Sequence, residues 1–168
     1  MIQFDPAFFA DQFRFVRWGD DQVLAAAGTL STEEYLKPRG FSHGSIHKLL
    51  VHMMASQWTW LSRFRGTPVK RSEDDREYPT LESIRLRWPI LHDDWEAFLK
   101  AQTADSLTKL YSHSDFSGNS HTLRLGRLVQ HVLDHCTYHR GQFNSMLKMA
   151  GGKPLNLSLY PFYEREDG

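Results

Sequence analysis

The sequence predicts an all-α protein, a four-helix bundle with a short β-hairpin before the last helix. Four long segments carry apolar residues three or four positions apart, which is the period of a helix that buries one face. Prolines, glycines and charged residues separate these segments. The chain has no internal repeat or linker, so we expect a single domain over residues 1–168. Bundles of this kind build metal sites from side chains on facing helices.

The first predicted helix covers residues 6–28. Pro6 suits a first helical turn, and Gly28 suits the end of a helix. Asp20 lies on the apolar stripe, where it could accept a hydrogen bond from a metal ligand or simply lie at the rim of the core. Residues 29–44 contain one proline and two glycines, so we predict a connection there rather than a helix. The stripe consists of Phe9, Phe13, Val16, Val23, Leu24 and Ala27.

The second and third predicted helices are also bounded by residues that are typical of helix ends. Ser45 is a good N-cap for a helix that runs to about Arg65, where a glycine and a proline follow. The charged segment 67–79 is predicted to be an exposed loop. Thr80 then opens the third helix. Pro89 lies inside that helix and should kink it, because a proline removes one backbone hydrogen bond and crowds the preceding turn.

The last third of the chain contains the hairpin, the longest helix and a tail. Residues 107–122 lack the helical period and predict two short strands around a glycine-containing turn. The fourth helix is predicted from Leu123 to about Ala150, where two glycines follow. Residues 155–168 alternate leucine, tyrosine and phenylalanine before they become charged, so we expect this tail to pack across the bundle.

Composition excludes several function classes. The 20 basic and 20 acidic side chains cancel, and no segment is strongly basic, so nucleic acid is not an expected partner. No apolar stretch approaches the roughly 20 residues that span a bilayer, and the N-terminus has no secretory pattern. The single cysteine, Cys136, cannot form an internal disulfide, which fits a reducing compartment. We therefore expect a cytoplasmic protein that acts neither on a membrane nor on nucleic acid.

Histidines dominate the candidate site residues. The chain has nine of them, and His131, His135 and His139 follow one another at intervals of four in the fourth helix. On a helical wheel His139 points into the core, His135 flanks the core and His131 lies at its solvent margin. Two imidazoles at positions i and i+4 can bind one cation. The pair alone is equally compatible with ordinary core histidines that hydrogen-bond to neighbours.

The second helix contributes His52, which a bundle could place opposite the pair His135 and His139. Three histidines around one ion leave coordination positions open, which is typical of a reactive rather than a structural site. Spacing alone does not establish that the three side chains converge.

Two motifs resemble the DinB (DNA-damage-inducible) family. Residues 45–66 (Ser-Ile-His-Lys-Leu-Leu-Val-His, then Trp-Leu-Ser-Arg-Phe-Arg-Gly) are similar to its second helix. Residues 128–142, which end in His-Arg-Gly-Gln after a His-x3-His pair, are similar to its last helix. Arg17-Trp18 and the Asp-Phe-Ser-Gly turn also fit, so the resemblance covers nearly the whole chain. The sequence departs from the family pattern at Asp134 and Tyr138, which are not ligand positions.

The resemblance implies a four-helix bundle, often dimeric, with a divalent metal ion of the zinc, nickel or iron class on three histidines. Residue by residue these are His52, His135 and His139. It also implies a small-molecule substrate and a metal-dependent transfer of a low-molecular-weight thiol to an electrophile, in stress or detoxification. A metal-dependent hydrolase and a non-catalytic metal-binding stress-response protein are the alternatives. We expect a homodimer, and the catalytic residues stay open, with His131 or Asp20 as candidate bases.

The remaining candidates have structural interpretations that we favour. His131 as a fourth ligand is less favoured than a hydrogen-bonding role, and His47 should pack near the start of its helix. Cys136 should behave as a small buried hydrophobe. Gln142 and Arg140 are expected to orient a ligand or to tie a helix to a loop.

Overall fold

A computed structural model of the protein describes residues 3–40, 42–72 and 74–168. Within these residues the chain forms seven helices and one two-stranded sheet. They are α1 (Pro6–Ala27), α2 (Thr32–Leu36), α3 (Ile46–Phe64), α4 (Leu81–Lys100), α5 (Ala104–Thr108), β1 (Leu110–Ser114), β2 (Ser120–Arg124), α6 (Leu125–Met149) and α7 (Leu159–Asp167). This confirms the all-α class with a hairpin before the last long helix.

Side-chain caps explain where the long helices begin. The Asp5 carboxylate accepts a hydrogen bond from the Ala7 amide at the start of α1, ahead of Pro6. Ser45 accepts from the Lys48 amide at the start of α3, as the sequence predicted. Thr80 and Ser83 form a reciprocal capping box at the start of α4. These caps satisfy amide groups that have no partner within their own helix.

The four long helices form the bundle. α1 packs against α4 and α6, and α3 packs against the same two helices. α1 and α3 are therefore diagonally opposite each other in the bundle. Large apolar side chains with essentially no exposed surface fill the space between the helices. They include Phe13, Leu49, Leu50, Met54, Trp88, Trp95 and Phe143. The connections from α1 to α3 and from α4 to α6 therefore cross the bundle, and they carry α2, α5 and the hairpin.

A polar network crosses this core. The Asp20 carboxylate accepts hydrogen bonds from Gln57 Nε2 at 2.7 Å and from His92 Nε2 at 3.1 Å. Trp88 donates from its indole nitrogen to Gln57 Oε1 at 3.2 Å. Asp20, Gln57 and His92 are fully buried, so Asp20 is neither a rim carboxylate nor a partner of the metal-site candidates. Because buried polar groups must be paired, this network favours one arrangement of α1, α3 and α4.

Two short helices and the first strand differ from the sequence prediction. Residues 29–44 were predicted to be a connection, but Thr32–Leu36 form α2, with Ser31 as N-cap. The first strand was predicted from residue 107, yet Ala104–Thr108 form α5 and the strand begins at Leu110. A capping box explains this result, because Thr103 and Ser106 satisfy each other's amides and fix a helical turn there. The segment from residue 107 onward, Leu-Thr-Lys-Leu-Tyr-Ser, had suggested a strand instead.

The hairpin and the tail otherwise follow the predictions, except that β2 extends to Arg124 and the long helix α6 begins at Leu125 rather than at Leu123. β1 and β2 are antiparallel, with Ser112 opposite Thr122 and His113 opposite His121. The tail packs on α1, where residues 159–167 form α7 and Phe162 is buried. Pro89 lies inside α4, as predicted. Among the described residues no helix is long and apolar enough to cross a membrane.

Candidate metal centre

The last long helix presents two histidines to the same region of the bundle. His135 and His139 are one turn apart in α6, and their Nε2 atoms are 2.9 Å apart. His139 is buried, His135 is half-buried and His131 is exposed. This order reproduces the helical-wheel prediction, because each step of four residues rotates the side chain further from the core.

α3 supplies the third histidine. His52 Nε2 lies 3.1 Å from His139 Nε2, although 87 positions separate the two residues in sequence. The packing of α3 against α6 produces this contact. The structure therefore brings together His52, His135 and His139, and we call this group the histidine centre. Two imidazole nitrogens that share an ion lie at most about 4.2 Å apart, since each is about 2.1 Å from it. The two separations from His139 Nε2, to His52 and to His135, satisfy that condition.

Gln142 orients the most buried histidine of the centre. His139 Nδ1 lies 2.8 Å from Gln142 Oε1, and an amide oxygen only accepts hydrogen bonds, so the proton of neutral His139 is on Nδ1. Its Nε2 lone pair then faces His52 and His135. Ser42 donates from its hydroxyl to the same Gln142 oxygen at 2.8 Å, which links the loop before α3 to the centre. A partner of this kind on the outer ring nitrogen is typical of metal-ligating histidines.

A fourth histidine, His43, was not predicted from the sequence. It lies in the loop before α3, and its ring stacks on His52 with centroids 3.8 Å apart and planes 20° apart. His43, His52 and His139 each offer a ring nitrogen within 4.8 Å of the others, so this group could hold a metal ion. Residues 40–44 have no helical or strand period, so sequence patterns gave no direction for the His43 side chain.

Burial keeps the imidazoles of the centre neutral. Desolvation, with a smaller contribution from neighbouring histidines, lowers the pKa of His52 to about 3 and that of His135 to about 4. Burial also lowers the pKa of His139 and of His43. Only neutral imidazole can donate a lone pair to a metal ion, so these side chains are in the metal-binding form at neutral pH.

The other predicted candidates lie outside the centre. His47 is buried and hydrogen-bonded to the Tyr35 hydroxyl at 2.9 Å, which fits the packing role predicted for it. His131 packs edge-on against Trp60, and its ring centroid lies 6.0 Å from that of His135. Cys136 is buried and free, and burial raises the pKa of its thiol well above the usual range, so it is an inert hydrophobe.

A cleft of about 210 Å³ opens beside the histidine centre. Its lining comes from α3 (Lys48, Val51 and His52), from the loop before α3 (His43) and from the loop before α4 (Ser72, Asp74 and Asp75). A larger groove of about 590 Å³ lies elsewhere, between Phe8 and Arg127, and none of its lining residues is a histidine or a cysteine. Of these two cavities, only the smaller one borders a histidine of the centre, His52.

Comparison with known proteins agrees with the motifs. A sequence model described as the DinB family matches residues 4–167, which include α1 to α7. The chain is also 26% identical over 162 residues to "Protein DinB" of Bacillus subtilis (strain 168), an alignment that covers 89% of this chain and 91% of that relative. The matched range includes every histidine of the centre. The family resemblance inferred from residues 45–66 and 128–142 is thus confirmed.

Proposed function

The chain belongs to the DinB family, and on that premise we propose that it is a metal-dependent transferase. In this proposal His52, His135 and His139 bind a divalent ion, and a low-molecular-weight thiol is transferred to a small electrophile. The observation that carries the proposal is the approach of the His52 and His135 Nε2 atoms to within 3.1 and 2.9 Å of His139 Nε2. Imidazole suits zinc, nickel and iron, so the donor set fits each of these ions.

Ring orientation supports this ligand set over one that includes His43. An imidazole lone pair lies in the plane of its ring, so two stacked, nearly parallel rings do not direct lone pairs at one point. His43 and His52 have that stacked arrangement. The ring planes of His52 and His139 differ by 71°, and those of His135 and His139 by 66°, which allows their lone pairs to converge.

The chemistry of such a site is nucleophile activation. A divalent ion on three histidines lowers the pKa of a thiol or water that binds it, which supplies a nucleophile at neutral pH. His43 lines the cleft beside His52, and burial lowers the pKa of His43, so its imidazole is neutral and can accept a proton. We therefore assign His43 Nδ1 or Nε2 as acceptor of the proton of a thiol bound next to His52. The sulfur then forms a bond to the electrophilic carbon, and the leaving group departs with the electron pair of the bond that breaks.

His43 replaces the bases suggested by the sequence. Asp20 is committed to Gln57 and His92 in the core, and His131 lies on the exposed side of His135. A hydrolase would use the same arrangement with water in place of the thiol. A non-catalytic role is the second candidate function, and the observation that favours it is the closeness of His43, because a fourth histidine ligand would close the site.

Metal analysis of protein purified without a histidine tag tests the ligand set. We expect His52→Ala, His135→Ala and His139→Ala each to lose the ion, because each removes one donor. His121→Ala, on the hairpin, is the matched control and should keep it. Retention of the ion by all three variants would end the proposal.

His43→Ala distinguishes the two candidate functions. Under the transferase proposal this variant keeps its ion and loses turnover in an assay that follows free-thiol consumption by a reactive electrophile. Under the structural alternative it loses the ion, chelation unfolds the wild-type protein, and neither a thiol nor an ester substrate turns over.

A further inference from the structure

Lys48 and Asp75, which line the cleft beside the histidine centre, are a loosely paired cation and anion. Lys48 lies one turn before His52 on α3, so both side chains are on the same face of that helix. Asp75 approaches from the loop between α3 and α4, and its Oδ2 lies 3.7 Å from Lys48 Nζ. That separation is too long for a hydrogen bond between them. Both side chains line the cleft together with His52.

The neighbouring charges of the same loop are already satisfied. Arg76 binds the Asp74 carboxylate through two nitrogens, at 3.1 and 2.5 Å, and Arg71 binds Glu77 at 2.7 Å. By contrast, within residues 42–72 and 74–168 the structure shows no side-chain hydrogen bond for Lys48 or Asp75. An exposed pair without a hydrogen bond contributes little to stability. A ligand can therefore separate the two charges at small cost and offer each a charge-assisted hydrogen bond.

The cleft has room for a small molecule. A volume of about 210 Å³ corresponds to about seven water molecules at roughly 30 Å³ each. That is close to the number of non-hydrogen atoms in serine or cysteine. A molecule of this size that is held by Lys48 and Asp75 would have its remaining atoms next to His52, since the same cleft borders all three side chains.

We propose that this cleft selects an amino-acid-like substrate, with its carboxylate on Lys48 Nζ and its ammonium group on the Asp75 carboxylate. This inference rests on the proposed function, because the side chain of the bound molecule is the part that would reach the histidine centre. Under the transferase proposal that side chain is a thiol.

Binding of four small oxygen analogues to the zinc-loaded protein tests the selectivity. L-Serine has both charged groups, ethanolamine only the ammonium, 3-hydroxypropionate only the carboxylate, and ethylene glycol neither. Titrations followed by amide chemical shifts of α3 and the loop before α4 should show L-serine binding about tenfold tighter than either singly charged analogue. Lys48→Gln should remove the advantage of L-serine over ethanolamine, and Asp75→Asn its advantage over 3-hydroxypropionate.

The chain offers a matched control pair. Lys109 and Asp105 form an exposed ion pair at 2.9 Å on and beside α5, away from the cleft. Lys109→Gln and Asp105→Asn should leave all four affinities unchanged. Equal binding of the four analogues, or binding of L-serine that neither cleft variant weakens, would overturn the proposal.

A separate measurement distinguishes this inference from the proposed function. Cobalt-loaded protein titrated with 2-mercaptoethanol should develop the absorption of a thiolate on the ion. If that absorption is absent while L-serine still binds through Lys48 and Asp75, the transferase proposal fails and the cleft inference stands. If the absorption appears and L-serine shows no preference, the inference fails and the transferase proposal stands.

Discussion

At the residue scale, Gln142 determines which ring nitrogen of His139 carries the proton. Its Oε1 accepts from His139 Nδ1 and from the Ser42 hydroxyl, both at 2.8 Å. The first contact fixes the His139 tautomer, and the second holds the loop that carries His43. One amide oxygen thus couples a metal-ligand candidate in α6 to the residues before α3.

We predict that Gln142→Ala weakens metal binding by about 10- to 100-fold, as loss of the partner on a ligand's outer nitrogen typically does. The physical reason is that His139 loses the acceptor that places its proton on Nδ1 and that restrains its ring. Competition with a chromophoric chelator measures the affinity. Gln130→Ala, at an exposed position on the same helix, is the control and should bind as the wild type does. Equal affinities in both variants would contradict this role.

The sequence predicted the residues that have a helical period and missed those that do not. The inward order of His139, His135 and His131 followed from a rotation of about 100° per residue. His43 lies in a loop, where no period fixes the direction of a side chain. The role of Asp20 could not be found either, because its partner His92 is 72 positions away and contacts at that distance depend on how helices pack.

At the element scale, the contact between α1 and α6 depends on the absence of a side chain at Gly19. A Cβ atom at this position would lie 2.8 Å from Arg140 Cδ and 2.9 Å from Arg140 Nη1. Arg140 is buried, with its guanidinium over the Phe15 ring and a hydrogen bond to Thr137. It directly follows His139, so the fit against Gly19 also positions the histidine centre on α6.

Two glycine substitutions separate packing from helix propensity. We predict that Gly19→Ala lowers the free energy of unfolding by about 1–3 kcal/mol, because the new methyl group overpacks the contact with Arg140. Gly141→Ala, where an added Cβ meets nothing within 4 Å, should instead raise it by about 0.4–1 kcal/mol. Urea unfolding followed by tryptophan fluorescence measures both. Stabilisation by Gly19→Ala would show that the contact between α1 and α6 accommodates a methyl group at this position.

Long helices were predicted well, and short ones were not. α1, α3, α4 and α6 extend over 19 to 25 residues each, so several turns repeat the same apolar face. α2 and α5 have five residues each, too few for a period to be visible. Their signals were the caps at Ser31 and Thr103, which a search for apolar periodicity does not detect.

At the scale of the whole molecule, folding makes many histidines harder to protonate. Burial lowers the pKa of each of these side chains below the ordinary value of 6.5. They are His43, His47, His52, His113, His135 and His139. Below about pH 6.5 the unfolded chain therefore binds more protons than the folded one, and the free energy of unfolding falls as the pH falls. The stability that these neutral imidazoles provide is fully present only above that pH.

We predict that the chelator-treated protein unfolds at a lower urea concentration at about pH 5.5 than at about pH 7.5. His47→Gln should make this pH dependence shallower, because it removes one buried imidazole outside the histidine centre. The readout is the urea midpoint at each pH with the chelator present. Midpoints that do not change with pH would show instead that the folded and the unfolded chain bind the same number of protons over this range.

The distance in sequence between His52 and His139 has a consequence for how the protein matures. A nascent chain that has emerged from the ribosome as far as the hairpin contains α3 but none of α6. At that stage His52 is the one residue of the histidine centre that is present. The full set exists only after α6 has been synthesised and has docked on α3. Metal loading would thus come at the end of biosynthesis. An ion bound there would join two segments that are 87 positions apart in sequence and would oppose the separation of α3 from α6.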